Sequence, residues 1–526
     1  MVQAIKELLE DYGRKIKNHE ELEVAKRSAC KKYKLATILN SDILREYRLL
    51  VKNNTISEIS SLVRILRKRS IRTLSGIAPV AVLTKPYPCP GHCAYCPHES
   101  DVPASYLSNE PAVMRAIRCA YNPYKQVISR LKSLENNGHE PTKIEIIVIG
   151  GTWSYLPARY KYWYILNCFK AANDYQKKTF DFKNLYPKSL GLKEIRELLK
   201  QEQKKNETAK YKIIGLTLET RPDYINVEEL LEMRELGCTR VEIGVQAVDD
   251  AILKLNKRGH GVAEITAATK LLKQSGFKVT YHLMPALPGA TPAKDFILFK
   301  RLFNDSRFQP DQIKFYPTVV TRGSLLYRWY RAGKYKPYSD KVLQTLIAKC
   351  KAIVPPYVRI IRLIRDIPEE SIVAGNKITN LRQIMQQRGV KCNCIRCREV
   401  KDGIVKSGGR LNIIKYPASE GTEYFISADS SDKKTLYGFC RLRIDAGSFV
   451  APAIIRELHV YGELVPMGSA KKVQHSGLGG RLLAEAEKIA ASCRAPKMAV
   501  ISGVGVRGYY RKHGYKLAGS YMIKTL

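Results

Sequence analysis

The protein has 526 residues, of which 89 are Lys or Arg and 49 are Asp or Glu, so its formal net charge at pH 7 is +40. A hydrophobic content of 45% and a charged content of 26% are ordinary for folded proteins and exclude a mainly disordered chain. The length predicts two to four domains, because one domain commonly holds about 100–200 residues.

The charge favours a nucleic-acid partner, since a pI near 9.7 is typical of chains that neutralise phosphates. Residues 1–75 and 155–212 each carry a net charge of +8, and the second range is rich in aromatic residues that could stack on bases. A uniformly solvated basic surface is the alternative. We expect RNA rather than DNA, although composition alone leaves this open.

The sequence predicts a soluble protein of the cytoplasm without a membrane partner. No run approaches the roughly 18 apolar residues that a bilayer-spanning helix needs. The first residues, MVQAIKELLEDYG, lack the basic and then apolar order of a secretory signal.

The predicted elements divide the chain into four regions. Residues 1–75 have apolar residues at helical spacing and a basic face. Between residues 76 and 330, β-rich runs such as VAVLT, KIEIIVIGG, YKIIGLTLE, TRVEIGVQ, KVTYHLM and QIKFYPTVV alternate with helical segments such as AVMRAIRCAYNPYKQVISRLKSL. This alternation predicts an α/β fold of parallel βαβ units, either a partial barrel or an open sheet.

The remaining two regions are smaller. Residues 331–409 are predicted to be a helical linker that leads into a cysteine-rich loop. Residues 410–526 read as a separate α+β domain, in which four strand-like runs precede the helix GGRLLAEAEKIAAS and two further strands.

The first cysteine cluster, in KPYPCPGHCAYCPHES, directly follows the first β-run and contains Cys89, Cys93 and Cys96. Three thiolates spaced C-x3-C-x2-C can hold three irons of a 4Fe-4S cube and leave the fourth iron open to a small ligand. A zinc site completed by His92 or His98 is the alternative. The pattern resembles the radical S-adenosylmethionine superfamily, in which S-adenosylmethionine chelates the open iron and is cleaved to a 5′-deoxyadenosyl radical.

Polar and glycine residues at the ends of later β-runs fit the same interpretation. The resemblance implies that Gly150 and Gly151 bind the methionine moiety of S-adenosylmethionine, and their lack of a side chain allows close approach of a ligand. Glu219, Arg221 and Gln246 are further candidates, because strand-end residues of a parallel barrel face its mouth. Ordinary ion pairs at the barrel rim are the alternative for each of them.

A second cluster, C-x-C-x2-C, consists of Cys392, Cys394 and Cys397 between basic flanks. No strand precedes it, so the sequence favours a structural zinc over a second radical centre. Cys350 or a histidine is the expected fourth ligand, and a thiol loop without metal is the alternative.

The C-terminal domain contains the motif Q-x-x-G-x-G before an amphipathic helix, which resembles the pyrophosphate loop of GNAT-type N-acetyltransferases. Glycines let backbone N–H groups surround phosphates at the positive end of a helix. The resemblance implies binding of acetyl-CoA, with its pantetheine arm against the preceding strand and a tyrosine, Tyr510 or Tyr509, near the thioester sulfur. The implied acetyl-CoA residues are Glu457, Leu458, His459, Val460, Gln474, Gly477, Leu478, Gly479, Gly480 and Tyr510.

The combination of both domains resembles the family of the Elongator catalytic subunit, tRNA wobble-uridine acetyltransferases, in a single-chain form. KPYPCPGHCAYCP, EPAVMRAIRCAYNPY, LETRPDY, ELHVYGELVP and SGVGVRGYYRKHGY are among the segments that carry the resemblance. It implies that the radical abstracts hydrogen from the acetyl methyl group, that the carbon adds to C5 of uridine 34, and that thioester hydrolysis gives 5-carboxymethyluridine.

The resemblance also implies a tRNA anticodon stem–loop on the basic surface, with no other protein subunit obviously required. It places Lys143 against acetyl-CoA across the domain interface. A protein lysine acetyltransferase with a structural iron–sulfur cluster is the alternative function.

Overall fold

The computed structural model describes residues 1–66, 76–177, 180, 182, 186–187, 189–400, 409–461 and 477–526. Within these ranges the chain forms two seven-stranded sheets, a two-stranded ribbon and an N-terminal helical bundle. No helix in the described part is both long enough and apolar enough to cross a membrane.

The N-terminal bundle has a hydrophobic core of its own. Its helices are α1 Val2–Tyr12, α2 His19–Lys32, α3 Asn40–Lys52 and α4 Ser60–Leu66. Apolar side chains at helical spacing, such as Ile5, Leu8, Ile43 and Leu44, are fully or almost fully buried against one another. The helices predicted for residues 1–66 are therefore present, whereas residues 67–75 lie outside the described ranges.

The first sheet is an open, parallel half-barrel in the order β1–β2–β3–β4–β5–β6–β8. Its strands are β1 Ala78–Leu83, β2 Lys143–Ile149, β3 Lys212–Thr220, β4 Arg240–Gln246, β5 Lys278–Leu283, β6 Gln312–Phe315 and β8 Arg359–Arg362. The six predicted β-runs are the first six strands, which confirms the predicted fold class. Strand β8 comes from the region that the sequence predicted as a helical linker, so the sheet extends one strand further than expected.

Helices and a short ribbon surround this sheet. The helices are α5 Pro111–Arg118, α6 Pro123–Asn136, α7 Ala158–Asp174, α8 Leu192–Asn206, α9 Val227–Glu235, α10 Asp250–Leu255, α11 Val262–Gln274, α12 Pro292–Asn304, α13 Leu325–Arg331, α14 Asp340–Ile353, α15 Leu381–Gln387 and α16 Ile395–Arg398. The ribbon pairs β7 Val320–Thr321 with β9 Ile372–Ala374 in antiparallel orientation.

One predicted helical segment is broken in the structure. Between α5 and α6, Ala120 and Tyr121 adopt left-handed backbone conformations with φ of 48° and 55°. Asn122 then caps α6 by accepting a hydrogen bond from the Lys125 N–H, and Pro123 occupies the first helical position. The break has a local cause, because proline disfavours the helical conformation of the residue before it and Asn is a preferred N-cap.

The C-terminal sheet has the order β10–β11–β12–β13–β14–β16–β15, in which only β13 and β14 are parallel neighbours. Its strands are β10 Arg410–Ala418, β11 Gly421–Asp429, β12 Leu436–Ile444, β13 Ala453–Val460, β14 Lys497–Val500, β15 Lys516–Ala518 and β16 Tyr521–Thr525, with helices α17 Leu478–Ser492 and α18 Arg507–Arg511. Three strands follow α17, rather than the two predicted, because the last segment folds back as a short hairpin.

A buried ionic network joins the two sheets. The register between β12 and β13 shifts at Arg441, so that Arg456 is an extra residue in β13. Such a bulge re-aims a side chain, and here the guanidinium of Arg456 reaches Asp311 in the loop before β6 (Nη1–Oδ2, 2.9 Å) and Glu423 (Nε–Oε2, 3.1 Å). Lys273 is a second buried cation beside both carboxylates, with its Nζ 3.7 Å from Asp311 and 3.6 Å from Glu423.

The interface is also closely packed. A Cβ atom on Gly503, before α18, would lie 2.0 Å from the carbonyl oxygen of Ile214 in β3. A side chain at this position is therefore excluded by backbone, and the C-terminal domain sits directly against the first half of the barrel.

Candidate functional site

The first cysteine cluster lies in the loop after β1, at the carboxyl ends of the parallel strands. Cys89, Cys93 and Cys96 are each half-buried. The guanidinium of Arg258 donates a hydrogen bond from Nη1 to the Sγ of Cys93 at 3.3 Å, and Arg221 lies close over Gly91, where a Cβ atom would be 2.3 Å from Nη1. Two buried cations therefore accompany the three thiols.

The donor set fits an iron–sulfur cube better than a single metal ion. Sulfur atoms bound to one tetrahedral zinc at about 2.3 Å lie roughly 3.8 Å apart. The three thiols of this loop are not among the groups of described residues whose ligand atoms all lie within 4.8 Å of one another, and neither His92 nor His98 belongs to such a group. The zinc alternative for this loop is therefore not favoured by the geometry.

Positive charge offsets part of the effect of burial on the Cys96 thiol. Burial, together with the neighbouring Cys93 and Cys89, raises the pKa of the Cys96 thiol to about 12. Arg365 acts in the opposite direction. Since metals bind the deprotonated thiol, arginines beside these sulfurs lower the cost of assembling a cluster.

The glycine pair after β2 has a backbone conformation that few other residues adopt. Gly150 has φ of 133° and Gly151 has φ of 100°, both in the region that side chains disfavour. A Cβ atom on Gly150 would lie 2.1 Å from the Oγ1 of Thr84. That hydroxyl has no hydrogen-bond partner among the described residues, so a polar ligand approaching the glycine pair would find an available donor.

The three predicted strand-end residues occupy different environments. Arg221 pairs with Asp223 (Nη2–Oδ2, 2.8 Å), and its Nη1 is buried without a partner in the described structure. Gln246 has φ of 66°, and its buried Oε1 is likewise unpartnered there. Glu219 accepts a hydrogen bond from Tyr106 at 2.9 Å. Unsatisfied buried polar atoms are costly, and two of them here fit contacts with a polar ligand.

A group of charges inside the barrel was not predicted from the sequence. Glu242 of β4 accepts from Lys314 of β6 and lies 2.8 Å from the Nε2 of His282 of β5. Burial alone would raise the pKa of Glu242, but Lys314 holds it well below its usual value. Polar residues at alternate positions of apolar strands, such as Arg240 and Glu242, are the pattern that could have predicted these charged side chains inside the barrel.

Arg258 was missed for a different reason. It lies in a loop after α10, 165 residues from Cys93, and no local sequence pattern predicts that it contacts a cysteine thiol. Its Nη2 donates to the carbonyl oxygen of Gly244 at 2.5 Å, which places the guanidinium between β4 and the cysteine loop. Only the tertiary structure brings these residues together.

The second cysteine cluster is compact. The Sγ atoms of Cys392, Cys394 and Cys397 all lie within 4.8 Å of one another, which fits ligation of a single ion. Hydrogen bonds from Cys392 and Cys397 hold the pKa of Cys394 well below its usual value. Cys350 is buried but does not belong to this group, so the structure does not support it as the fourth ligand.

The predicted pantetheine strand is β13. Half-buried Glu457 accepts a hydrogen bond from the Nε of Arg441 at 3.0 Å. Desolvation opposes its ionisation, but Lys278 and Arg441 hold its pKa at about 2. Its side chain is therefore part of the domain interface. His459 stacks on Phe439 with ring centroids 5.9 Å apart, while Leu458 and Val460 are half-buried on the same strand.

Lys143 lies at the start of β2, next to Lys212 in the sheet register. A Cβ atom on Gly505 of the C-terminal domain would come within 2.6 Å of the Cβ of Lys212, so this end of β2 is close to the domain interface. Burial lowers the pKa of Lys143. Its position agrees with the predicted contact across the interface.

The glycine loop leads into α17. Gly477 has φ of 78° and caps the helix, whose first residues are Leu478, Gly479 and Gly480. A helix N-terminus with exposed N–H groups favours phosphate. Gln474 lies outside the described residues.

The two tyrosines face different ways. The side chain of Tyr510 is 6% exposed and lies edge-on to Tyr515, with ring centroids 5.9 Å apart. The side chain of Tyr509 is 37% exposed, and its hydroxyl would lie 2.9 Å from a Cβ atom on Gly479. The adjacent pair therefore offers one hydroxyl to the interior and one to the glycine loop.

Comparisons with known proteins agree with this geometry. Residues 87–299 match the radical SAM superfamily, and residues 310–389 match the Radical_SAM C-terminal domain. The chain is similar to the archaeal Methanocaldococcus infernus Elp3 with an N-terminal deletion, with a TM-score of 0.72 and 38% identity over 86% of this chain and 99% of that one.

Two relatives extend the similarity over most of the sequence. The tRNA uridine(34) acetyltransferase of Dehalococcoides mccartyi is 44% identical over 87% of this chain and 100% of its own length. Elongator complex protein 3 of Bos taurus is 40% identical over 88% of this chain and 87% of its own. With a cysteine loop at the barrel mouth and an α+β domain packed against the barrel, the chain belongs to the radical SAM family of tRNA uridine(34) acetyltransferases and Elongator complex protein 3.

Proposed function

We propose that the protein is a tRNA uridine(34) acetyltransferase that uses acetyl-CoA and S-adenosylmethionine to form 5-carboxymethyluridine at the wobble position. The observation that carries the proposal is the close packing of a radical SAM half-barrel against a domain with a glycine loop at a helix N-terminus, in a chain 44% identical to such an enzyme. The radical SAM match favours this function over a lysine acetyltransferase with a structural cluster.

In this proposal the barrel residues hold the radical-generating cofactors. Cys89, Cys93 and Cys96 are the ligands of the 4Fe-4S cluster, and Arg258 donates to one of their sulfurs. When bound, the cluster and S-adenosylmethionine supply one-electron chemistry that can remove hydrogen from a methyl group no protein base could ionise. Because Gly150 and Gly151 have no side chains, the backbone can approach the cofactor closely.

The strand-end side chains orient the bound molecule. The unpartnered polar atoms of Arg221 and Gln246 are available to it, and Glu219, fixed by the hydroxyl of Tyr106, presents a carboxylate at the same end of the sheet. These groups act by binding and positioning, which lowers the entropic cost of bringing the reacting atoms together.

The C-terminal domain binds acetyl-CoA. The N-terminus of α17 receives the pyrophosphate, and the backbone of Leu458, His459 and Val460 pairs with the pantetheine arm. Lys143 reaches the same ligand from the barrel. Tyr510 is proposed to donate its phenolic proton, or a hydrogen bond, at the thioester, with Tyr509 as the competing candidate.

Two further elements complete the assignment. Cys392, Cys394 and Cys397 hold a structural zinc that fixes the segment after β8, and the compact Sγ geometry supports this.

Residues 1–75 and the basic surface bind the tRNA anticodon stem–loop, supported by the separate core of the helical bundle. The four regions 1–75, 76–330, 331–409 and 410–526 then correspond to tRNA binding, radical chemistry, linkage and acetyl transfer.

The test is anaerobic reconstitution of the cluster in the full chain, reduction of the cluster with dithionite as the one-electron donor, and incubation with tRNA, acetyl-CoA and S-adenosylmethionine. Nucleoside mass analysis should show 5-carboxymethyluridine only when all three are present. A transcript with cytidine at the wobble position is the matched control and should remain unmodified. Product formed without S-adenosylmethionine, or on the cytidine control, would contradict the proposal.

A further inference from the structure

The break between α5 and α6 forms one wall of a cavity of about 330 Å³ beside the barrel mouth. This volume lies at the lower end of the range of about 300–1,000 Å³ that is usual for ligand sites. The cavity is lined by residues that include Lys85, Tyr121, Asn122, Lys125, Tyr160 and Trp163. None of the described residues that line it is acidic, so their charge suits an anionic ligand.

Aromatic rings and cations alternate around this cavity. Tyr160 and Trp163 stack with ring centroids 5.9 Å apart and 29° between their planes. The Nζ of Lys85 lies 5.3 Å from the ring centroid of Tyr160 and 5.9 Å from that of Tyr87. Flat rings beside ammonium groups suit a base with its phosphate, because the rings stack on the base and the lysines attract the phosphate.

The cavity wall is held in an uncommon conformation. Ala120 and Tyr121 are consecutive non-glycine residues in the left-handed region, and the hydroxyl of Tyr121 donates to the carbonyl oxygen of Asp101 at 2.6 Å. Strained backbone of this kind is concentrated at binding sites. Here it turns the chain so that Lys125, on the first turn of α6, faces the same space as Lys85.

A line of tyrosines connects the cavity with the cysteine loop. Tyr87 and Tyr155 are 37% and 42% exposed, and their ring centroids lie 6.4 Å apart. Tyr224, three residues beyond Arg221, is half-buried, and its ring centroid lies 5.8 Å from that of Tyr155 in an edge-to-face contact. Exposed aromatic rings in series are the usual platform for successive bases of a single strand. We call Tyr87, Tyr155 and Tyr224 the tyrosine track.

We propose that the tyrosine track and the cavity bind single-stranded loop nucleotides next to the nucleotide that enters the barrel mouth, with one unstacked base seated in the cavity. This inference rests on the proposed function and assigns the RNA loop a defined path on the barrel. The cavity then selects for an unpaired loop, since a base within a duplex cannot leave its stack without cost.

The test compares tRNA binding by three variants of the full chain. Tyr87→Ala with Tyr155→Ala removes two exposed rings, and Lys85→Gln with Lys125→Gln removes two charges. Lys415→Gln with Tyr424→Ala is the matched control, because Lys415 lies 5.7 Å from the ring of Tyr424 in a similar pair on the C-terminal sheet. Thermal unfolding of each variant verifies that the fold is kept.

We expect the tyrosine variant to bind tRNA about 5- to 150-fold more weakly per lost stacking contact, and the control to bind like the wild type. In the lysine variant, the negative slope of log binding constant against log salt concentration should become less steep by about 0.7 for each lost phosphate contact. A tRNA affinity within twofold of the wild type in both the tyrosine variant and the lysine variant would overturn the inference.

Photo-crosslinking locates the nucleotide directly. With 4-thiouridine placed at one anticodon-loop position at a time, the wild type should crosslink from a position adjoining the wobble nucleotide to peptides containing Tyr121 or Tyr160. Crosslinks confined to other surfaces, while the wild type still modifies tRNA, would refute the track and leave the proposed function standing. A wild type that neither binds nor modifies tRNA would refute both.

Discussion

The two cysteine triads use the same residue type to build different sites. Cys89, Cys93 and Cys96 are spread along a loop at the barrel mouth, next to Arg258 and near buried polar atoms that have no partner among the described residues. Cys392, Cys394 and Cys397 are drawn together within 4.8 Å, with Cys394 fully buried.

The difference shows what surrounding structure adds to a cysteine motif. A catalytic metal site keeps an open coordination position, whereas a structural site has a closed ligand set. Arg258 donates to Cys93 of the first triad, whereas Lys351 of α14 lies beside Cys397 of the second (Nζ–Sγ, 3.8 Å). Variants of the two triads test whether they differ in function.

Replacing Cys96 with serine should abolish 5′-deoxyadenosine formation and tRNA modification, because the loop has no spare cysteine ligand for the cube. Iron and sulfide content should fall, while acetyl-CoA binding to the distant C-terminal domain should persist. Cys493→Ser, at an exposed cysteine outside both triads, is the control. Wild-type modification rates in the reconstituted Cys96 variant would show that the first triad is not a catalytic centre.

The Tyr510→Phe variant should keep both triads intact and still lose turnover by about 10²–10⁴-fold, because only a phenolic donor is removed. The volume change is small, so the stability should fall by less than about 1.5 kcal/mol. Thioester hydrolysis in the presence of tRNA is the measurement. Tyr509→Phe is the paired variant: a loss there alone would transfer the role to the hydroxyl that lies over Gly479, and no loss in either would assign both rings to packing.

Replacing Cys394 with serine should affect stability more than chemistry. If a bound ion contributes about 3 kcal/mol, its loss would lower Tm by roughly 6–12 °C for a unit of 150–250 residues. Zinc content should fall, while the rate of 5′-deoxyadenosine formation at low temperature should remain near that of the wild type. Loss of that activity with an unchanged Tm would reverse the roles assigned to the two triads.

The surroundings of the first triad should also respond to acid. Burial, with Arg258 acting in the same direction, lowers the pKa of His260 from 6.5 to about 4, so the native state holds this imidazole neutral. The contribution of neutral His260 to the free energy of unfolding is present above pH 6.5 and is lost as the pH falls toward 4. At pH 5 the loss is about 2 kcal/mol. His260→Asn should therefore lose less stability between pH 7 and pH 5 than the wild type.

Equilibrium unfolding in denaturant at both pH values measures this effect. His19→Asn, at an exposed position of α2, is the control and should show the acid sensitivity of the wild type. An equal loss of stability in all three proteins would place the acid-sensitive group elsewhere.

Much of the fold could be predicted from local patterns. The six β-runs from residue 80 onward became β1 to β6, because continuous apolar runs between helices are typical of strands buried on both faces. The helix break at Ala120 and Tyr121 was missed, although the Asn122–Pro123 pair gave a local signal for it. Strand β8 was missed because four residues, Arg359–Arg362, carry too little periodicity to distinguish a strand from a loop.

The candidate site divides in the same way. The cysteine spacings, the glycine pair and the glycine loop are short-range patterns, so the sequence by itself determined where ligands of each kind lie along the chain. The side chains that serve them, such as Arg258 at Cys93 and Arg456 at Asp311, lie 165 and 145 residues from their partners.

Only the tertiary structure decided these contacts, and it also decided which triad is spread along its loop and which is compact. The physical reason is that burial, charge compensation and the distances between thiols depend on how separate elements pack. Local sequence specifies the chemical groups, whereas packing sets their spacing and their electrostatic environment.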